Sequence, residues 1–233
     1  MDTKYMSLVV AGLMAAPGMA AAGGLLPYGI ISGYGTYLED ADGRATDNLG
    51  NGVDYTTESD FGWGVTGAAG LSLDTGQQVC NTLGGEVEGG YRNNGLDEIE
   101  VTSVSLAGIA PFGPVGTADL DGDISALSVM ANVRCETPMF NGRFYVLGGG
   151  GGANVSIDDF SVGGTAVAVD DDDDWVGAYQ VGAGWAFPVN PNADLTVGYR
   201  YFATGDPEFT DAAGATFDTE YTTHNFEVGI KFF

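Results

Sequence analysis

Apolar and polar residues alternate with a period of two through segment after segment of this chain. In residues 61–74, FGWGVTGAAGLSLD, one face carries Phe61, Trp63, Val65, Ala69, Leu71 and Leu73, and the other glycine, Thr66, Ala68, Ser72 and Asp74. In residues 83–92, Leu83, Val87 and Tyr91 oppose Glu86, Glu88 and Arg92. Residues 127–135 set Leu127, Val129, Ala131 and Val133 against Ser128, Met130, Asn132 and Arg134. Residues 175–187 put Trp175, Tyr179, Val181, Trp185 and Phe187 opposite Gln180, and residues 195–202 put Leu195, Val197, Tyr199 and Tyr201 opposite Thr196 and Arg200. The last stretch sets Phe226, Val228, Ile230 and Phe232 against Glu227, Gly229 and Lys231. A period of two is the mark of a strand with one apolar and one polar face. Residues 28–39 alternate less cleanly, and the glycine run at 148–152 leaves the phase of 143–156 open. Eight strands are predicted.

The connections alternate as well. Long acidic or polar stretches, near 40–58, 94–122, 157–174 and 206–221, follow the odd-numbered strands, and short turns near 76–81, 138–142 and 188–194 follow the even-numbered ones. An up-and-down bacterial membrane barrel has short turns at one end and long loops at the other. A soluble sandwich has no reason to sort its connections this way. The predicted fold is therefore all-β, an eight-stranded antiparallel up-and-down transmembrane β-barrel.

The first 22 residues read as a secretory signal peptide: Lys4, an apolar run from Leu8 to Ala16, and the small residues Ala20–Ala22. Residues 23–233 are left for the barrel domain. No later apolar run approaches the ~20 residues of a membrane helix. Two cysteines, Cys80 and Cys135, suit an oxidising compartment. They fall in the first short turn and beside the second, so a disulfide between them is predicted.

Charge decides which face points inward. There are 32 acidic and 7 basic residues, a balance that excludes a simple nucleic-acid binder. Arg92, Arg134, Arg200 and Lys231 all share the polar phase with Glu86, Glu88 and Glu227. A lipid-facing barrel puts that phase in its lumen, where each charge needs a partner. Pairing of Glu86 or Glu88 with Arg134, and of Arg200 with Glu227, is expected from strand adjacency. Tyr28, Phe61, Trp175, Trp185, Phe187 and Tyr201 lie near strand ends, as interfacial girdles or as ordinary core. The alternative is a secreted soluble β-barrel with the aromatic phase inside, around a small apolar ligand.

The C-terminal stretch GYRYFATGDPEFTDAAGATFDTEYTTHNFEVGIKFF, from Gly198, together with AYQVGAGW (178–185) and SALSVMANV (125–133), resembles small outer-membrane β-barrels of alphaproteobacteria. These form a porin-like surface-antigen group that includes rickettsial surface proteins and is related to the opacity and outer-membrane-protein-A barrels. The resemblance covers nearly all of the mature chain and is specific over its last third. It implies the outer membrane of a Gram-negative bacterium, a barrel with a structural, surface-antigen or narrow-pore role, and no catalytic residues; a monomer is expected because small barrels are commonly monomeric. It also implies that the insertion machinery reads a terminal aromatic, carried here by Phe232 or Phe233; Phe232 holds the outward phase and Phe233 is one step off.

Candidate chemistry adds little. His224 is the sole histidine, and neighbouring Asp218, Thr222 and Thr223 do not make a catalytic constellation, so no enzyme activity and no cofactor are expected. The run Asp170, Asp171, Asp172, Asp173 and Asp174 lacks the spacing and turn glycine of a Ca²⁺ loop. It is either a solvated acidic loop or a gatherer of divalent cations that bridges to lipopolysaccharide. The glycine run lacks the lysine and helix of a phosphate cradle and serves to bend the strand or to make room in the lumen.

Overall fold

The structure, a computed structural model, describes residues 24–39, 41–46, 51–59, 61–105, 116–162, 165–166, 173–205, 208–210, 216–219 and 221–233. The predicted signal segment and Asp170–Asp172 lie outside these residues, as do the side chains of Asp173 and Asp174. Eight long strands form the barrel: β1 (Leu25–Leu38), β2 (Phe61–Asp74), β3 (Thr82–Ser105), β4 (Gly116–Met139), β5 (Gly142–Val162), β6 (Asp173–Asn190), β7 (Ala193–Thr204) and β8 (Thr222–Phe232). Each pairs antiparallel with the next, and β8 closes on β1.

Closure carries a stagger that the register makes explicit. Leu25 lies opposite Leu73, then Leu83, Cys135, Val146, Ala183, Tyr199 and Phe226, and Phe226 lies opposite Gly35. One circuit therefore advances ten residues along β1, from 25 to 35. A shear of that size on eight strands tilts them by about 40° to the barrel axis and leaves an interior that side chains can fill.

Three connections are short, around 75–81, 140–141 and 191–192, and with Phe233 they define a turn end. In the two-residue β4–β5 turn Phe140 adopts φ 53°, the left-handed conformation tight hairpins favour. At the opposite loop end β3, β4 and β5 run far past the predicted limits: β3 and β4 each have 24 residues. Four short strands, Ala41–Thr46, Gly52–Ser59, Glu208–Thr210 and Thr216–Thr219, add to β3 there as one continuous sheet, and Thr165–Ala166 pairs with β5. Much of what the composition marks as loop is thus strand, because polar, acidic segments can pair in water without an apolar face.

The phase is the one expected of a membrane barrel. Ile31, Val65, Leu71, Val87, Val129, Val133, Val181 and Val228 are exposed on the outer surface. Around them Tyr37, Phe61, Trp63, Trp175 and Tyr179 mark the loop end, and Trp185, Phe187 and Phe232 the turn end. Of the two places open to Tyr28, girdle or core, the structure gives it the interior. It is inward and buried, because its phase on β1 is that of Ile30, Ser32 and Tyr34.

Candidate functional site: the filled lumen

The lumen is built on the polar phase of the strands. Arg92, Arg134, Arg143, Arg200 and Lys231 share the interior and its turn-end mouth with Glu86, Glu88, Glu136, Asp194 and Glu227, five charges of each sign. In a space too narrow for bulk water an unpaired charge is costly, so equal numbers let neighbours compensate one another.

At mid-height Arg200 on β7 is the hub. Its Nη1 donates to both carboxylate oxygens of Glu88 at 2.6 Å, and its Nη2 lies 2.8 Å from Glu227 Oε2. Tyr145 donates its hydroxyl to Glu227 Oε1 at 2.8 Å. Gln180 donates from Nε2 to Glu88 at 3.0 Å and to Asn132 Oδ1 at 2.8 Å, and Asn132 donates in turn to Glu86 at 3.2 Å. Tyr28 also donates to Glu86, at 2.9 Å.

Nearer the turn end Glu136 accepts from Arg134 Nε at 2.7 Å and from Lys231 Nζ at 2.5 Å. Arg143 lies beside Glu136 and pairs with Asp194. Ring faces complete the shell: the Arg134 guanidinium lies 3.5 Å from the Tyr145 ring centroid, and Lys231 Nζ 4.4 Å from that of Tyr28. The cleft lined by Tyr28, Ser72, Thr82, Arg134, Glu136 and Lys231 does not admit a water-sized sphere.

Glycine makes this filling possible. A Cβ on either Gly184 or Gly198 would overlap the Tyr145 hydroxyl, and one on Gly149 would overlap the Asn132 side chain that reaches Glu86. The inward glycines of the 148–152 run, Gly149 and Gly151, are the spaces that Asn132 and Met130 occupy.

Above this level the interior changes character. Arg92 is fully buried, donates to Ser128 Oγ at 2.9 Å, and lies against Phe202 at 3.7 Å and Tyr34 at 5.4 Å. Around and beyond it Leu38, Ile124, Ala126, Met130, Ala153, Val155, Ala178, Phe202 and Tyr221 form an apolar plug in the lumen.

All seven predicted lumen charges, Glu86, Glu88, Arg92, Arg134, Arg200, Glu227 and Lys231, face inward. Arg200 lies against Glu227, whereas Arg134 binds Glu136 and neither Glu86 nor Glu88. Glu88 is instead drawn across the lumen to Arg200, a contact between strands four apart in the chain order that adjacency alone does not suggest. Glu136, Arg143, Asp194 and Tyr145 completed the network and escaped the sequence reading, although each sits on the inward phase of its strand; Gln180, read there on the polar phase, joins them. Cys80 and Cys135 are brought together at the turn end, with a Cα–Cα separation of 5.4 Å that suits the predicted disulfide. Phe232 and Phe233 are half-exposed at the same end.

His224 faces outward. It lies in the phase of Phe226 and Val228, among the rings of Tyr37, Tyr199 and Tyr201. Among the described residues no group of three or more His, Cys, Asp or Glu is arranged to hold a metal ion.

A closed barrel with an apolar outer belt and a buried, charge-balanced interior is the architecture of a protein that spans a bilayer by strands, and such barrels reside in the outer membrane of Gram-negative bacteria. The chain belongs to the family described as the outer membrane protein beta-barrel domain, whose model matches residues 6–232. Among solved structures it is similar to Neisserial surface protein A (15% identity, 90% of this chain and 98% of that one covered, TM-score 0.46). It is also similar to the outer membrane protease OmpT of Escherichia coli (10% identity, 88% and 96% covered, TM-score 0.40) and to the attachment invasion locus protein Ail of Yersinia pestis (16% identity, 86% and 98% covered, TM-score 0.31). No curated protein matches the sequence.

Proposed function

We propose that this outer-membrane barrel is a sealed structural mount that displays an acidic β-sheet at the cell surface, and that it is neither a pore nor an enzyme. The filled lumen carries this reading: the charge network crosses the interior at mid-height and the apolar plug lies above it. A conducting path would have to break both.

The loop end is the natural display surface. The stretches 39–60, 97–123, 157–174 and 205–221 hold 25 of the 32 acidic residues and a single base, Arg44. In this reading the loop end faces the medium and the turn end the periplasm. Phe232 or Phe233 serves as the insertion signal, and Asp170–Asp174 collect divalent cations that bridge to lipopolysaccharide. The likeness of the last third to alphaproteobacterial surface antigens supports display.

Planar-bilayer recording tests the proposal. Purified, refolded protein should leave the bilayer without discrete current steps. Reproducible open levels at low voltage would make it a pore and sink the sealed-mount reading.

A further inference from the structure

One hydrogen-bonded polar group sits on the outer, lipid-facing phase, at the loop-end girdle. His224 lies opposite Tyr37 on β1 and Tyr201 on β7, across the seam that closes the barrel. Its Nε2 is 2.5 Å from Glu39 Oε1, and its Nδ1 bonds the Tyr199 hydroxyl. The rings of Tyr37, Tyr199 and Tyr201 lie within 6.5 Å of the imidazole, and Tyr179 stands 6.1 Å from Tyr201. The patch is open: Tyr37 is 44% exposed, Tyr179 52%, and the Glu39 side chain 49%.

A carboxylate and an imidazole facing outward cannot lie in hydrocarbon without large cost, so this patch sits at headgroup level. What it can bind there follows from its charge. A carboxylate beside an imidazole gives the pair no surplus of positive charge to offer. Among the described side chains no lysine or arginine pairs with Glu39 or His224. Five of the seven bases face the lumen or its turn-end mouth, and the other two are Lys4 and Arg44, outside the barrel strands. Lipid phosphates are held by cations, which this patch lacks. Sugar hydroxyls need what it has: a carboxylate whose second oxygen can accept, hydroxyls to donate and accept, and flat amphipathic rings to lie against the sugar's C–H face, with the imidazole holding Glu39 and Tyr199 in place.

We propose that Glu39, His224, Tyr199, Tyr37, Tyr201 and Tyr179 dock the sugar ring of an outer-leaflet glycolipid in preference to a lipid phosphate. The inference rests on the orientation proposed above. Its test is native mass spectrometry of the full barrel in a sugar-free polyoxyethylene detergent, titrated with digalactosyl diacylglycerol or with phosphatidylglycerol of the same acyl chains. The galactolipid should be retained about five-fold more than phosphatidylglycerol, and Glu39→Gln or Tyr199→Phe should remove most of that preference, as loss of one hydrogen bond implies. Equal or greater retention of phosphatidylglycerol overturns the proposal, as does a preference that both variants leave intact. Should a variant fail to fold, the two-lipid comparison on the unaltered protein still decides. Retention in detergent does not depend on orientation, which surface labelling of a cysteine placed in the 39–60 stretch reads separately.

Discussion

The two halves of the barrel interior obey opposite rules. Towards the turn end the inward positions are Arg134, Glu136, Tyr145 and Lys231, and the outward ones Val133, Val146 and Ile230. Towards the loop end large apolar side chains, Leu38, Val155 and Tyr221, enter the inward phase beside buried Thr36, Asn94 and Thr223, while outward neighbours include Glu39, Asn154, Ser156 and Thr222. Single strands change over along their length; β5 passes from Tyr145 inside and Val146 outside to Val155 inside and Ser156 outside. The change marks a boundary between solvents. Where the wall meets hydrocarbon, the hydrophobic effect gives no reason to turn apolar groups inward, and the interior is free to be polar. Where the wall meets water, burial of apolar surface again drives the interior, as in any soluble barrel. The plug is the first layer of that second regime.

Substitutions on either side of the boundary can break this account. The largest effect is expected at Arg200. Arg200→Ala leaves Glu88 and Glu227 buried without their base, and should lower unfolding free energy by about 3–5 kcal/mol in urea titrations of the vesicle-inserted protein. Two residues along, Phe202→Ala empties part of the plug and should cost about 3 kcal/mol by cavity formation in the same assay. If Arg200→Ala proves neutral while Phe202→Ala does not, the lumen charges are passengers and only the plug stabilises the interior.

A smaller and sharper contrast lies outside. Val87→Lys puts a cation in the lipid-facing belt and should cost about 2–4 kcal/mol, whereas Asn154→Lys, on the outer face beside Trp175 at the loop-end girdle, should cost about 0–1 kcal/mol. Equal costs at the two sites would erase the proposed boundary. Inside the lumen the smallest effect is at Tyr145→Phe, which removes one hydroxyl bond to Glu227 and should cost about 1 kcal/mol. Reading that variant beside Arg200→Ala in a double-mutant cycle measures how far the network acts as a unit.

The alternation at Phe61–Leu73, Leu83–Arg92 and Phe226–Phe232 made strand, phase and wall legible, because a lipid-facing wall repeats the same two-residue period on almost every strand. The seven charges on the polar phase were legible for the same reason. Their partners were not. Sequence adjacency pairs β3 with β4, yet Glu88 reaches Arg200 on β7, since a narrow barrel lets side chains meet across its diameter. Tyr28 and Tyr145 were opaque because an aromatic reads the same whether it meets lipid or fills a lumen beside glycine. The strand extensions of β3 and β4 were hidden by acidic composition, and the plug by its position above the belt, where the phase inverts.

The seam between β1 and β8 has a consequence in time. Ten register pairs, from Gly29 with Phe232 to Leu38 with Thr223, join segments separated by nearly the whole barrel domain. Until the last eleven residues of β8 are available, β1 presents a bare edge, and bare edges recruit foreign strands. Contacts this distant along the chain form late and slowly. The seam can therefore close only once the final strand has been delivered, and the wall is completed as a single late event.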